Sequence, residues 1–470
     1  MDLHVTLDQR GDLAAGVYRS LRNAVEDGRL ATGDRLPSTR ELARDLGIAR
    51  NTVAFAYDAL VAEGYAEGRI GSGTYVLGVA SAREPRQPAA AQPARAPTAA
   101  VAPFETPVDF DLRLGLPDPL AFPSAAWRRA LADAVDEAVR TAPGYGDPAG
   151  DPGLRASIAR HVSVSRGVRA DPSAVIVTAG AQGAFDLLAR TIVAPGDRVA
   201  VEDPGYAPAR EAFAAAGAAV VGVPVDGDGL VTDALPPVAR AVVVTPAHQM
   251  PMGVTLSAAR RAALLAWAER TGALIVEDDY DSEYRYAARP LEPLQRLDRA
   301  GRVAYVGSFS KTLLPMLRVG FLVAPDALVA RVRDARRLAG FHAETTTQLA
   351  LRQLIDEGTF GRHLRRTRRL YRARHDRLVV AVTRDLAPWL RLNPAAAGLH
   401  VAALANSGID AARIRRVVEL ARTFGVAAES LDAYAVGGGV TPGLAMGFGV
   451  IPEDRIDEAV GRLRAAFAQA

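Results

Sequence analysis

GSFSKTLLPMLRVGF, residues 307–321, contains Lys311, the only lysine in the chain. Every other basic side chain, histidines aside, is arginine. A compositional bias could leave one lysine by drift. Chemistry offers a second reason. An arginine stays protonated, whereas a lysine can lose its proton and attack a carbonyl as a free amine. A bias against lysine should therefore spare the one whose amine is needed, and the surroundings of Lys311 decide between the two explanations.

VAYVGSFSKTL (303–313) reads as a strand that opens into a loop carrying Ser308, Ser310 and Lys311, with Arg318 seven residues beyond the lysine. Hydroxyls and an arginine together suit a phosphate. Three other apolar runs end in the same way. VIVTAGAQGAFDLLAR (175–190) reads as strand, a turn through Gly180, Ala181, Gln182 and Gly183, then helix; free amides at a helix start bind phosphate. Taken alone this is a weak signal, because such turns often carry glycine for packing. LIVEDDYDSEY (274–284) ends a strand at Asp278, two residues before Tyr280. VEDPGYAP (201–208) places Tyr206 after a fourth strand, where a ring can stack on a flat ligand. In open parallel sheets, ligands bind at the carboxyl ends of strands.

Asp278, Asp279, Asp281 and Glu283 are also metal-ligand types, but a metal would leave the lysine and serines without a role. Neither a GxxxxGK[ST] loop nor a dinucleotide fingerprint is present. Pyridoxal phosphate uses all the parts at once: an aldehyde for lysine, a pyridinium nitrogen for aspartate, a ring oxygen for tyrosine, a phosphate and a flat face. Lys311 is therefore expected to be the Schiff-base lysine.

Composition sets the frame. A chain of 470 residues holds roughly two to four domains. A net charge of +3 does not by itself imply a polyanionic partner. The absence of cysteine excludes disulfides, cysteine metal sites and cysteine nucleophiles, and suits a reducing compartment. No apolar run approaches the ~20 residues needed to span a membrane, and the N-terminus lacks a signal pattern. The expectation is a cytoplasmic protein with no membrane partner.

Three segments follow along the chain. Residues 1–77 carry helical patterns, residues 78–107 are an Ala/Pro-rich linker, and residues 108–470 alternate β-branched runs with amphipathic helices. The last segment predicts an α/β large lobe over about 108–330 and a smaller α+β lobe over about 331–470.

In the first segment, Leu13, Val17, Leu21 and Val25 mark one helix face. Ser38 and Glu41 form a capping box that starts a second helix, and Gly47 suits the turn after it. Val53, Tyr57 and Leu60 line a third helix, which Gly64 can end. YAEGRIGSGTYV (65–76) reads as a hairpin. This is a winged helix-turn-helix pattern. Arg40, Arg50, Asn51, Thr52, Arg69 and Ser72 supply donors for DNA where such a unit needs them. Net charge argues the other way, with nine Arg against eleven Asp and Glu in residues 1–77. Position outweighs charge here.

LPSTRELA, ARNTVAFAYDALVAEGY and GRIGSGTYV resemble the winged-helix domain of GntR-type bacterial regulators. The resemblance implies that Arg40, Arg50, Asn51, Thr52 and Gly71 touch DNA. Ala49 stands where Ser or Thr usually caps the recognition helix, a loss of ~1 kcal/mol of helix stability. YGDPAGDPGLR, TAGAQGAFDLLAR, EDPGY, TPAHQMPMGVTLS, VEDDYDSEY and SFSKTLLPMLRVGF resemble a fold type I aminotransferase domain. The junction of the two resembles MocR-type regulators, the group with the GABA-responsive and pyridoxine-synthesis regulators. It implies that Lys311 bonds the cofactor, Asp278 pairs with the ring nitrogen, Tyr280 contacts the ring oxygen and Tyr206 packs on the ring. It assigns the phosphate to Ser308, Arg318, Ala181 and Gln182. It also implies a homodimer, with Tyr145 reaching the partner's phosphate.

Two departures matter. Ala445, in LAMGF (444–448), stands where aminotransferases carry the arginine that grips a substrate carboxylate. Met250 replaces the usual ring-side asparagine, and His248 is a candidate to face the site instead, or a turn histidine bonding backbone. FGRHLRRTRRLYRARHDRL (360–378) reads as an arginine-dense helix, a solvated face with a few buried stems, with DNA phosphate contacts in a dimer as the alternative. The expectation is a regulator that binds operator DNA and senses pyridoxal phosphate, with or without an amine or amino-acid ligand. It would control vitamin B6 synthesis or amine metabolism, with no net turnover. The alternative is a working aminotransferase with an accessory DNA-binding unit.

Overall fold

The structure, a computed structural model of the chain, describes residues 13–69, 71–77, 108–141, 144–286, 292–393, 397–437 and 439–470. The linker expected at 78–107 lies outside the described residues. The chain divides into two units within that stretch. Among the described residues, no helix is long and apolar enough to cross a membrane.

The first unit runs α1 (Leu13–Glu26), α2 (Thr39–Leu46), α3 (Arg50–Ala62), β1 (Ala66–Arg69) and β2 (Gly73–Val76). Val17, Leu21 and Val25 of α1 are buried against Leu42, Val53, Tyr57 and Leu60, the faces that the four-residue spacing predicts. The capping box forms: Glu41 N donates to Ser38 Oγ at 3.2 Å, and Ser38 N donates to Glu41 Oε2 at 2.9 Å. Gly47 ends α2 with φ 65°, a left-handed conformation that costs glycine little. β1 and β2 pair antiparallel, with Ala66 opposite Val76 and Arg69 opposite Gly73, and so make the wing.

The second unit contains β3 (Phe110–Asp111), β4 (Val175–Thr178), β5 (Arg198–Asp203), β6 (Ala219–Asp226), β7 (Gly229–Leu230), β8 (Ala241–Val244), β9 (Leu274–Asp279), β10 (Val303–Ser308) and β11 (Gly320–Val323). All but β3 form one sheet in the order β4-β11-β10-β9-β8-β5-β6-β7. The run from β10 through β9, β8 and β5 to β6 is parallel. β4, β8, β9 and β11 are buried along their whole length, as a sheet covered on both faces requires. Phe185, Leu188 and Phe213 pack on Val276 and Val306 in one layer, while Leu264 and Trp267 pack on Val242 and Ile275 in the other. Period-two alternation along the strands feeds both layers.

The smaller lobe holds β12 (Leu390–Leu392), β13 (His400–Ala405), β14 (Val426–Ala427), β15 (Glu429–Ser430) and β16 (Gly443–Gly447). Its sheet has the order β12-β13-β16-β15 and is antiparallel. β14 pairs in parallel with β3, so the start of the unit is tied to the smaller lobe. Phe110 is buried there, under the guanidinium groups of Arg455 and Arg462 at 4.3 and 4.6 Å from its ring centre. The arginine-dense segment lies in a helix, Thr359–Asp385, that buries Phe360, His363, Leu364, Thr367, Tyr371 and Leu378. Arg374 is buried with them and donates to Asp118 at 2.6 Å, while Arg362, Arg365 and Arg369 are exposed.

Candidate functional site

The four strand ends meet. β4, β5, β9 and β10 deliver their following loops to one cavity of about 530 Å³, whose walls include Ala181, Gln182, Tyr206, Asp278, Tyr280, Ser308, Lys311 and Arg318. Asp278 and Ser308 stand at the carboxyl ends of β9 and β10, and the other side chains come from the segments that follow strand ends, the place a parallel sheet reserves for ligands.

β9 shows how a strand sorts chemistry. Its last two residues are both acidic and both buried, and alternation sends them to opposite faces. Asp279 is paired through one oxygen: Arg166 reaches Oδ2 with two nitrogens at 2.9 Å and Tyr305 donates to it at 2.5 Å, while Oδ1 is buried without a hydrogen-bond partner. Asp278 faces the cavity, and its Oδ1 is buried with no partner. Burial first, then the neighbouring charge of Asp279, pushes its carboxyl up to about 8, against the opposing pull of Lys311. An unmatched buried carboxyl of this kind calls for a cationic or N–H partner.

Lys311 Nζ donates to the Gly115 carbonyl at 2.8 Å. Burial lowers its pKa, against the charges of Asp281 and Asp278, which favours the free amine that nucleophilic attack needs. A Cβ at Gly115 would come within 2.6 Å of that nitrogen, so glycine there leaves room for the amine.

The phosphate end is built from backbone and one guanidinium. The helix Gly180–Ile192 starts without a side-chain cap, which leaves its first N–H groups for an anion. Arg318 NH2 donates to the Ala179 carbonyl at 2.8 Å and is thereby held at that helix start. A Cβ on Gly180, whose φ is 70°, would meet Arg318 at 3.0 Å. Arg318 itself has φ 51°, a strained backbone for a residue with a Cβ, of a kind that gathers at ligand sites. Ser308 Oγ donates to Ser310 Oγ at 2.9 Å, and the Ser310 amide donates to Ser308 Oγ at 3.1 Å.

Tyr280 lines the cavity, and its hydroxyl donates to the His248 carbonyl at 2.9 Å. His248, a candidate for direct contact, is not among the cavity's lining residues. It is buried, with Nδ1 3.0 Å from Asp281 and 3.1 Å from the Tyr280 hydroxyl. Its ring centre lies 4.5 Å from that of His400, the two planes tilted by 41°, and a Cβ at Gly398 would collide with it at 2.0 Å. Packing from the smaller lobe thus sets His248 behind Tyr280 rather than beside the cavity. Tyr145 also lies outside the lining of its own chain's cavity; it is exposed and stacks on Phe341 at 4.5 Å.

Sequence reasoning missed Tyr434, Leu114 and Gly115, which line the cavity too. Tyr434 is hydrogen-bonded to Glu429, and its carbonyl accepts from Gly205 N at 3.0 Å. It ends a short 3-10 helix, Leu431–Tyr434, with no motif to flag it. Ala445 lies on β16 opposite Ala402 and Glu429, fully buried in an apolar cluster with Met252 and Leu431. Among the described lining residues the cations are Lys311 and Arg318.

In the first unit, Arg40, Arg50 and Asn51 are exposed and Thr52 is half-buried. Ala49 caps α3 with no side-chain hydrogen bond, as its methyl dictates. Arg69 is exposed, donates to Glu67 at 2.6 Å and lies 4.6 Å over the Tyr75 ring. Gly71 has φ 77°, and Ser72 is close by, its hydroxyl 3.4 Å from the Arg69 carbonyl.

The cavity's parts fit pyridoxal phosphate: a buried lysine whose pKa is lowered, a carboxyl with one buried oxygen unpartnered, a helix start with an arginine, and the ring of Tyr206. Residues 111–445 match the family aminotransferase class I and II, and residues 13–76 match bacterial regulatory proteins, gntR family. The second unit is thus a fold type I, pyridoxal-phosphate-dependent domain, and the first a DNA-binding helix-turn-helix. The chain belongs to the MocR-type regulators, which join the two. It is 38% identical over 460 residues to the probable rhizopine catabolism regulatory protein MocR of Rhizobium meliloti, covering 96% of this chain and 93% of that one. It is 36% identical over 436 residues to the HTH-type pyridoxine biosynthesis transcriptional regulator PdxR of Corynebacterium glutamicum, covering 93% and 92%. Its fold matches the Pyrococcus horikoshii kynurenine aminotransferase solved in complex with PMP, with a TM-score of 0.71, 27% identity, and coverage of 77% of this chain and 91% of that one.

Proposed function

We propose that this regulator acts in the cytoplasm as a homodimer whose operator affinity responds to pyridoxal phosphate, alone or with an amine or amino-acid ligand. The bound cofactor supplies an aldehyde carbon that takes up amines and a ring that withdraws electrons. Lys311 presents its amine to that aldehyde. Asp278 faces the ring nitrogen and keeps it protonated. Tyr206 lies on the ring face, and Tyr280 reaches the ring oxygen with its hydroxyl positioned by His248. Ala181, Gln182, Ser308 and Arg318 hold the phosphate, and Tyr145 extends to the partner's phosphate.

One observation carries the sensing role: Ala445, buried among apolar side chains, offers no cation to a substrate carboxylate. Such a site lacks the bidentate anchor that α-amino-acid turnover needs. The names of the relatives, pyridoxine biosynthesis and rhizopine catabolism, support control of vitamin B6 synthesis or amine metabolism, and the missing arginine favours the first. Coupling requires two states of the dimer that bind the ligand differently and place the two DNA-binding units differently.

The test is fluorescence anisotropy of labelled DNA from the gene's own upstream region. Apo protein is titrated with pyridoxal phosphate and no amine. A shift in affinity that Lys311→Ala abolishes supports cofactor sensing. Cofactor binding with unchanged DNA affinity, for every amine and amino acid then added, removes the regulatory reading. A working aminotransferase is the second reading, favoured by the intact Lys311, Asp278 and Tyr206. Stoichiometric keto-acid formation followed by turnover would establish it.

A further inference from the structure

α3 buries Val53, Ala56, Tyr57 and Leu60. At 3.6 residues per turn, Asn51 and Phe55 fall on the opposite side of the helix. Phe55 is 72% exposed, more than any other large apolar side chain among the described residues of this unit. No aromatic ring or guanidinium stacks on it there.

A lone exposed apolar residue is ordinary on a protein surface. The position of Phe55 is what gives it meaning. It lies four residues after Asn51 and three after Thr52, so it shares their strip of helix surface. Helical side chains lean toward the N-terminus, which carries the ring over the turn that presents those two residues. Arg50 and Arg40, both exposed, stand at the same helix start and in α2. Donors therefore surround an apolar disc, on a helix whose other exposed residues beyond Phe55 are Asp58, Val61 and Ala62, with Val61 less exposed at 42% and nearly two turns further from the helix start.

Major-groove edges carry one apolar group, the 5-methyl of thymine, and phenylalanine is among the side chains that contact it. We propose that Phe55 is a specificity-determining residue that packs on the 5-methyl group of a thymine in the major groove, beside the base that Asn51 reads. The assignment rests on α3 being the helix that enters the groove. Phosphate contacts from the arginines set register and carry no sequence information. Phe55 adds a preference that salt does not screen.

The experiment uses the full chain with pyridoxal phosphate. A preferred duplex is selected from a random-sequence pool, and each thymine is then replaced singly by deoxyuridine, which deletes only the methyl. For the parent protein, one position per half-site should weaken binding about four-fold, the worth of roughly one buried methyl group. Phe55→Ala should bind the thymine and uracil duplexes equally at that position. Its dependence on salt should match the parent's, because no phosphate contact is lost. Neutral replacement at every thymine, or discrimination retained by Phe55→Ala, overturns the assignment. A pool that yields no preferred duplex, or Arg50→Ala and Asn51→Ala variants that bind it as tightly as the parent, removes α3 as the reading helix and Phe55 with it. Phe55→Ala removes an exposed ring, so an unchanged thermal melt distinguishes lost recognition from lost folding.

Discussion

Both units of this protein present the start of a helix with an arginine beside it, one on an exposed face and the other on the wall of a cavity. α3 presents Arg50 and Asn51 on an exposed face. The helix Gly180–Ile192 opens onto the wall of a cavity, and Arg318 is tied to its start through the Ala179 carbonyl. The exposed site presents its side chains to water, where attraction is screened by salt, although Arg50 Nε donates to Thr39 Oγ1 at 3.3 Å. The cavity depends on positions set before any ligand arrives: a glycine that admits Arg318, a lysine held by a carbonyl, a carboxyl buried without a partner. The exposed site should therefore respond to ionic strength and lose affinity in small steps. The concave one should respond to pH and fail outright when one group is removed.

The largest effect belongs to Lys311. Lys311→Arg keeps the positive charge and most of the length but removes the nucleophilic amine. The near-visible absorbance of the lysine-bound cofactor should disappear completely, and dialysis should strip the pyridoxal phosphate that remains. A variant that retains that absorbance would show that another group holds the cofactor.

Asp278 comes next and carries a pH dependence. Its carboxyl titrates at about 8 in the folded protein without cofactor, against about 4 in an unfolded chain. The folded state thus binds the extra proton between these values, and stability falls as pH rises from about 4 to about 8. Glu202 and Glu277, both pushed up to about 7 by burial, act with the same sign. A protonated pyridine nitrogen against Asp278 stabilises the carboxylate and should flatten the fall. Melting temperatures across this pH range should decline for the apo protein, less steeply with cofactor, and less steeply for apo Asp278→Asn. Equal slopes in all three would mean that Asp278 is not the group that meets the ring.

The same contrast explains what could be read from the residues alone. The cavity was legible because strand ends are marked by pattern, and each end carries a residue whose chemistry is distinctive. Asp278 and Asp279 could not be told apart by composition; strand alternation sends one to Arg166 and the other to the cavity. His248 has a suggestive motif, yet Gly398 and His400, remote in sequence, fix its place behind Tyr280. Tyr434 was invisible because it reaches the cavity from a single 3-10 turn of the other lobe, Leu431–Tyr434, too short to carry a periodic pattern. The tie between β3 and β14 was hidden for a related reason: two-residue strands have no periodicity to read. In the first unit, local rules sufficed for the elements, since a capping box and one glycine delimit α2.

Arg50 tests the salt side of the comparison. Arg50→Ala should weaken DNA binding for all sequences alike and lower the slope of log affinity against log salt by about one phosphate's share. Cofactor binding should be untouched, because Arg50 belongs to the other unit. A change in sequence preference without a change in slope would mean that Arg50 reads a base instead.

The smallest effect probes α3 from within. Ala49 holds the N-cap with an extended backbone, φ −67° and ψ 139°, and no side-chain hydrogen bond. The backbone is already in the conformation that a capping serine adopts, so Ala49→Ser needs no rearrangement. The Thr52 amide, which meets the Ala49 carbonyl at 3.0 Å, would gain a hydroxyl acceptor as well. The cap should stabilise the start of α3 by ~1 kcal/mol. In the full chain, amides in the first turn of α3 should exchange about five-fold more slowly, while those around Gly180 stay as they were. The hydroxyl also adds one neutral donor for a phosphate, so DNA affinity should rise slightly with no change in salt slope. Slower exchange with no gain in affinity would separate the two roles, and would show that the helix start is already ordered enough to bind without its cap.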